Sequence, residues 1–333
     1  MTLLAGLLMA LFAGSLAIGP VWIPPGRAVA ALLPGRWTGA GAEFPDKTII
    51  TELRLPRALL ATATGMALGM AGAALQGLFR NPLADPYVVG ASGGAAFGAT
   101  VAILSGWGFG VAGLASVPLA AFSGALGAVV LAYVLAEASG GLPTQALLLV
   151  GAALSTLLSA LVAGLLLLQD RAHLEVFGWL VGGFSGRSWP ALNTIVPVMF
   201  LGAVVLSAVH HAMDALALGE ETARSLGLSL ERLRGGVVVG SSLLTAGAVA
   251  AGGIIGFVGL MAPHMARYTF PAAHRWVLPA SGLTGALIML LADDVGRVAV
   301  APAEVPAGIL TAVLGAPFFL YLLKTRGGPG HVS

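Results

Sequence analysis

His264 and Arg267 stand one helical turn apart in GFVGLMAPHMAR (256–267), and they form the pair in this sequence most like a metal or catalytic site. An imidazole can ligate a metal or move a proton near neutral pH. A zinc site takes about three protein ligands or more, and no second His or acid stands at ligand spacing from His264. The pair therefore reads as a helix end, and no catalytic or metal-binding residue is assigned. A second group is acidic: Asp293, Asp294 and Glu304. Carboxyls near membrane depth are candidates for proton relay. Arg297 follows Asp293 at the spacing of a helical ion pair, and Pro302 and Pro306 flank Glu304, so a structural role at an interface is expected for the acids. A third group is cationic, Arg54 and Arg57 in RLPR (54–57). A guanidinium stays charged and its fork accepts a carboxylate through two bonds. On its own, Arg57 reads equally as a helix-end anchor.

The densest internal cluster of charge runs from Asp214 to Arg234, with Glu220, Glu221, Arg224, Glu231 and Arg232 between them. It reads as two short helices hinged at Gly227. Glu220 and Glu221 suit a helix N-terminus, Gly227 suits a C-terminal cap, and Ser229 can cap the second helix. By charge alone this is a solvated loop between two membrane helices.

The elements that position these residues are apolar. Only 9% of the 333 residues are charged, with mean hydropathy +0.95, where a soluble domain carries about 25% charged residues. The chain is an all-α, polytopic membrane protein. The absence of Cys excludes disulfides and thiolate chemistry, and a net charge of +2 gives no reason to expect nucleic acid. Apolar spans are expected at 3–22, 58–79, 88–105, 115–136, 143–168, 190–209, 276–292 and 305–323. Between 235 and 267 the run is either one long span or a span to Gly252 followed by a short one to Arg267. No Lys or Arg precedes the first run, so it reads as a retained span. Residues 23–53 read as an extramembrane loop. RNPLADP (80–86) stops a helix with its prolines, and Gly106, Gly108 and Gly110 mark another break. Residues 169–189 read as a partly inserted interfacial helix anchored by Trp179 and Trp189.

Gly is abundant, 48 residues in all, and recurs four apart at Gly65/Gly69, Gly94/Gly98, Gly236/Gly240 and Gly252/Gly256. Tight helix packing is the expected use. Charge counting leaves topology open. With ten spans Lys and Arg divide eight to eight between the sides, whereas nine spans with the N-terminus outside give eleven inside to five outside; the latter is what the positive-inside rule prefers.

Four ordered elements carry a resemblance. The first is RLPR with Gln76 and RNPLADPYVVGASGGA (80–95). The second is LALGEETARSLGL (216–228), in which Glu221, Ala223 and Gly227 fit an E-x-A-x-x-x-G core. The third is GFVGLMAPHMAR with HRWVLP (274–279). The fourth is Asp293, Arg297 and AEVPAGILTAVLGAPFFLYLL (303–323). Together, from about residue 54 to the C-terminus, they resemble the FecCD permeases of ABC importers, which take up iron chelates, haem and cobalamin. The resemblance implies a single permease domain over 1–333 with the type II importer fold, about ten transmembrane helices and both ends cytoplasmic. It implies a cytoplasmic coupling loop at 210–234 that meets an ATPase through Leu218, Gly219, Glu220, Glu221, Ala223, Arg224, Leu226 and Gly227. Arg54, Arg57 and Arg297 match the family's arginines that receive carboxylates of a substrate-binding protein. Asn81, Pro82, Pro86, Pro263, His264 and Arg267 are expected to serve gating or packing.

The implied function is a permease subunit in a bacterial inner membrane. The implied partners are a second copy of the chain, two ATP-binding subunits, a periplasmic or lipid-anchored binding protein and membrane lipid. No G-x-x-x-x-G-K-[ST] loop is present and neither Lys47 nor Lys324 follows Gly, so ATP and Mg belong on a partner chain and this one binds no cofactor. GGF (182–184) and the coupling string lean towards cobalamin among the cargoes. The rival readings are a proton-coupled secondary transporter of a small metabolite, with Asp293, Asp294 or Glu304 as relay, and an intramembrane enzyme around His264.

Overall fold

The computed structural model describes residues 1–32, 44–106, 116–138, 144–169 and 173–326. Gly108, Gly110, Pro143, Asp170 and Arg171, which figure in the expected breaks and loops, lie outside the described residues. The described chain is helical throughout, with one isolated bridge between Val300 and Ala303.

Helix α1 covers Thr2–Ala17 and α2 Pro25–Leu32. A short α3 (Phe44–Thr48) passes through a π-helical turn (Ile49–Arg54) into α4 (Leu55–Phe79). The expected loop at 23–53 is thus partly helical, and its last ten residues, 44–53, extend the second span. The wide register, in which the Leu55 N–H reaches Ile50 O, carries the helix across Pro56, whose ring removes a donor. After α4 the chain turns at RNPLADP, makes a 3-10 turn at Pro86–Val89, and continues in α5 (Ala91–Leu104). Then come α6 (Ser116–Ala138), α7 (Thr144–Leu167), the short α8 (His173–Val181) and α9 (Trp189–Ala217). The chain closes with α10 (Glu220–Ser225), α11 (Leu230–Gly252), α12 (Val258–Thr269), α13 (His274–Val298) and α14 (Ala307–Arg326).

Ten of these elements, α1, α4–α7, α9 and α11–α14, correspond to the ten expected spans. Six helices are long and apolar enough to cross a membrane, namely Pro45–Phe79, Ser116–Ala138, Ala146–Leu167, Trp189–Ala217, Leu230–Gly252 and His274–Val298. The run after Arg234 resolves into the split form, α11 to Gly252 and then the separate half-length α12. The break at 253–257 is internal, since Gly253 and Ile255 are buried. Irregular backbone at membrane depth is tolerated only where protein or a cavity surrounds it. Here Gly183 N–H donates to Gly252 O at 2.7 Å and Gly308 N–H to Gly182 O at 3.0 Å, joining the end of α8, the end of α11 and the start of α14. Tyr87 hydroxyl donates to Ile255 O at 3.0 Å and bridges the break to the 3-10 turn.

The centre of the bundle is α4, α11 and α13, largely buried, while α6, α7 and α9 expose apolar side chains such as Leu149 and Phe200. Small residues let the central helices meet backbone to backbone. A Cβ on Gly65 would lie 2.2 Å from Gly285 O, one on Gly69 2.1 Å from Ser281 O, and one on Gly94 2.2 Å from Gly124 O. The expected packing role of the Gly65/Gly69 and Gly94/Gly98 pairs is therefore what the structure shows. The closest approach is Gly72, where a Cβ would stand 1.8 Å from Gly259 O on α12.

Gly72→Ala should lower the stability of the detergent-solubilised chain by about 1–3 kcal/mol, because neither backbone can withdraw without disturbing its other contacts. Gly127→Ala on α6, where a Cβ meets nothing within 4 Å, is the control and should melt with the parent. Equal melting temperatures for Gly72→Ala and the parent would refute the α4–α12 contact.

Candidate functional site

Two ends of the bundle carry charge. Helix α9 separates them: its 29 residues rise about 43 Å, from Trp189 beside the arginines to Ala217 beside α10. Helix α13 runs the opposite way, from His274 to Arg297.

At the first end, Arg54 is buried and its guanidinium donates to main-chain carbonyls, Leu16 O at 2.8 Å, Ala17 O at 2.9 Å and Val21 O. Arg54 is thereby the cap of α1, supplying a cation where the last carbonyls of a helix lack partners. Helix α1 thus stops at Ala17 and not at 22, just ahead of Gly19 and Pro20. Arg57 lies between two carboxylates. Its Nε donates to Asp293 Oδ2 at 2.9 Å, its Nη2 to Asp293 Oδ1 at 2.9 Å, and its Nη1 to Glu304 Oε2 at 2.9 Å. Arg297 is buried and donates to Ser15 Oγ at 2.8 Å and to Asp294, and stands 3.6 Å from Asp293. Ser15 Oγ donates to Asp294 at 2.6 Å.

The three arginines predicted from sequence do meet at one end, though not as three free cations. Arg54 is filled by carbonyls and Arg297 by Asp294 three residues before it, whereas the acids that fill the fork of Arg57 lie far away in sequence, in α13 and just before α14. The pairing of Asp293 with Arg297 expected from spacing is present but long; the stronger partner of Asp293 is Arg57. Each acid of the relay reading is thus bound to a guanidinium. Of the three arginine side chains, Arg57 keeps 13% exposure, and its partner Glu304 keeps 29%.

Two cavities open here. One of about 610 Å³ is lined by Arg57, Glu175, Trp179, Phe184, Arg187 and Glu304, together with the first turn of α14. A second, about 410 Å³, shares Arg57, Phe184, Arg187 and Glu304 and adds Arg54 and Arg297. The two tryptophans expected to anchor at a lipid interface do other work. Trp179 is 7% exposed within the core, and Trp189 Nε1–H donates to Thr51 O at 2.9 Å, holding the π turn against α9. Sequence reasoning missed Ser15, Arg187 and the partnership of Glu304. A signal existed for Arg187, the one ionisable residue between Glu175 and His210.

At the opposite end, α9 continues to Ala217, so Asp214 belongs to a helix and not to the loop. Asp214 Oδ1 accepts from His274 N–H at 2.7 Å and contacts His274 Nδ1 at 2.7 Å, tying α9 to the start of α13. Helix α10 is the first expected short helix, with Glu220 and Glu221 in its first turn. The second expected short helix is instead the start of α11, whose Ser229 side chain accepts from Arg232 N–H at 3.4 Å. Gly227, between them, has φ +80, a conformation that glycine adopts without strain. Glu220 is held by Arg234 at 2.7 Å. Ala223 is buried beneath α10, whereas Glu221, Arg224 and Gly227 are exposed. Leu218 and Leu226 are 72% and 64% exposed at either end of α10. A charged rim around exposed Leu side chains is the make-up of a contact surface.

The gating and packing candidates divide. Asn81 and Pro82 are exposed, and Asn81 Oδ1 accepts from Leu83 N–H at 2.9 Å. Pro86 is buried against Gly259. Pro263 and His264 are buried in α12, and the His264 ring lies edge-on to Tyr268 and Phe318. Arg267 donates to Gln76 Oε1, linking α12 to α4. Among the described residues no group of three His, Asp or Glu is placed to hold a metal.

Residues 7–325 match the FecCD transport family. The chain belongs to that family. It is 42% identical over 291 residues to the "Cobalamin import system permease protein BtuC" of Halobacterium salinarum, covering 86% of this chain and 76% of that protein. It is 38% identical to the "Fe(3+)-citrate import system permease protein YfmE" of Bacillus subtilis, covering 97% and 93%. A solved structure of a metal-chelate type ABC transporter in an inward-facing conformation superposes with TM-score 0.80 at 34% identity, covering 97% and 99%. This FecCD protein is therefore a permease subunit of an ABC importer, a transporter component and not an enzyme.

Arg57→Gln leaves Asp293 buried without its main counter-ion. It should destabilise the permease by about 3 kcal/mol, the lower end of the range for breaking a buried pair, since Glu304 retains contact with water. The double variant Arg57→Gln/Asp293→Asn should recover part of the loss, the sign of direct coupling. Thermal unfolding of the four proteins of that cycle measures both effects, and strict additivity would remove the pair from the scaffold.

Proposed function

We propose that two copies of this permease enclose one path across a bacterial inner membrane, with the arginine end outward and the α10 end in the cytoplasm. The cargo is an iron chelate or cobalamin, the chemistry that the names of the two relatives above carry. Two ATP-binding subunits seat on α10, bringing ATP and Mg with them. A binding protein delivers cargo at the opposite face. The observation that carries this reading is α10 itself: a short helix presenting Leu218, Glu221, Arg224 and Leu226 to solvent, followed by Gly227 in a left-handed turn and joined directly to a central helix of the bundle. A push on α10 is thereby transmitted to α11 and, through α11, to the break at 253–257.

Docking of a binding protein through Arg54, Arg57 and Arg297 takes a narrower form. Arg54 and Arg297 support α1 and α13, and Arg57 is the arginine an outside carboxylate reaches most easily, in competition with Glu304. The proton-coupled reading gains nothing from the geometry, because its acids are all ion-paired.

Gly227→Val tests the coupling. A Cβ there meets nothing within 4 Å, so the substitution acts through backbone conformation and not through a clash; a β-branched residue resists the left-handed region by about 1–2 kcal/mol. In proteoliposomes holding the permease, ATPase and binding protein, the expected result is ATP hydrolysis that no longer responds to binding protein, and cargo uptake reduced about tenfold. Wild-type stimulation and uptake in Gly227→Val would remove α10 from the coupling role.

A further inference from the structure

The break at 253–257 ends in an uncommon turn. Phe257, the residue just before α12, has φ +67 and ψ −25, and Val258 N–H donates back to Gly256 O at 2.9 Å. This is a γ-turn of the rare, strained hand. A Cβ disfavours positive φ, and a bulky aromatic residue there is an outlier. Among the described residues the other non-glycine residue with positive φ is Arg80, and it closes α4 as a C-cap, where that conformation is common. Phe257 instead opens a helix. Such a conformation lasts only where its surroundings over-determine it.

Two contacts hold it. On one side is Tyr87, whose hydroxyl donates to Ile255 O at 3.0 Å and accepts from Ile255 N–H at 3.3 Å. Both backbone groups of Ile255 are thus engaged by one side chain from the turn before α5. On the other side is Gly315 of α14, where a Cβ would lie 2.3 Å from both Cβ and Cγ of Phe257. The phenyl group therefore rests on bare α14 backbone. Gly308 stands two turns earlier on the same face of α14. A Cβ there would lie 2.1 Å from Val181 O and 3.2 Å from Ile254 O, at the other edge of the break. Helix α12 packs broadly on α4 and α13 and only lightly on α14, so α14 is the member of this contact that is free to leave. Turning Phe257 to an ordinary negative φ breaks the Val258 to Gly256 bond and carries the ring off Gly315. The turn and the position of α14 therefore change together.

We propose that Phe257 is a two-position latch in the transport cycle. Its turn is left-handed while the ring is seated on Gly315, as here, and relaxes when α14 moves off α12. The proposal rests on the coupling reading above and extends it: α10 and α11 bring movement to 253–257, and Phe257 passes it to α14.

The test uses the intact permease–ATPase complex in lipid nanodiscs, free of nucleotide and trapped with ATP and vanadate. A para-trifluoromethylphenylalanine in place of Phe257 reports the ring by fluorine NMR. Two resonances are expected, with a population ratio that changes about tenfold between the two conditions. Gly315→Ala, whose methyl takes the seat of the ring, should hold the second resonance with or without nucleotide. Hydrogen exchange of the unlabelled complex is the independent measurement. The peptide carrying Val258 N–H should exchange about threefold faster when trapped, as its bond to Gly256 breaks. Phe257→Gly accepts the left-handed turn without strain and should lose most of that acceleration. One unmoved resonance and equal exchange in both conditions, in a complex that hydrolyses ATP, overturn the latch and leave the importer reading in place. The parent's resonances and populations in Gly315→Ala overturn it as well. In Gly227→Val the response to ATP should vanish. A response that persists there supports the latch and counts against α10 as its drive.

Discussion

A guanidinium inside a bundle of apolar helices is stable only while carboxylates or carbonyls surround it. Arg54, Arg57 and Arg297 sit at one end of this permease, and much of that end is arranged around satisfying them. Arg54 takes the open carbonyls of α1, Arg57 joins α4 to α13 and to the approach of α14, and Arg297 ties α13 back to Ser15 of α1. Each contact removes an unpaired charge and at the same time fixes a helix end. The arginine end of the bundle is thus pinned by charge, whereas its middle is held by glycine contacts that depend only on shape.

That contrast bears on how such a subunit moves. The middle contains a half-length α12, a break at 253–257 and the 3-10 turn at Pro86–Val89, joined by Tyr87 and by the backbone bonds among Gly182, Gly183, Gly252 and Gly308. These bonds satisfy polar backbone inside the protein without a continuous helix, and they give the centre of the bundle places to rearrange that a straight span lacks. Helix α10 stands at the far end of α11 from this junction, so one helix connects the exposed surface of α10 with the broken centre.

Charge counting points to nine spans, whereas ten helices stand at the expected spans; leaving Arg54, Arg57 and Arg297 out of the ten-span count turns eight to eight into eight inside to five outside, which no longer opposes ten spans. The rule concerns cations left in loops, whereas Arg54, Arg57 and Arg297 are neutralised within the fold and are not loop cations. Arg187 differs from them, having no acid partner among the described residues.

Composition and hydropathy determined that the chain is a helical membrane protein, and the four ordered motifs determined its family and the position of the short charged helix α10, because both depend on local pattern. Ser229 as a cap, Gly227 as a left-handed turn and Gly65/Gly69 and Gly94/Gly98 as packing sites were legible for the same reason, whereas a Cβ on Gly256 of the Gly252/Gly256 pair would meet nothing within 4 Å. What only the tertiary structure decided were relations across hundreds of residues: that Asp293 and Glu304 fill the fork of Arg57, that Ser15 meets Arg297, that α12 begins at an internal break, and that Trp179 and Arg187 face one cavity. No local rule reaches these, since an ion pair or a cavity is a fact of distance in space, and the segments that form it carry no periodic signal of their partners.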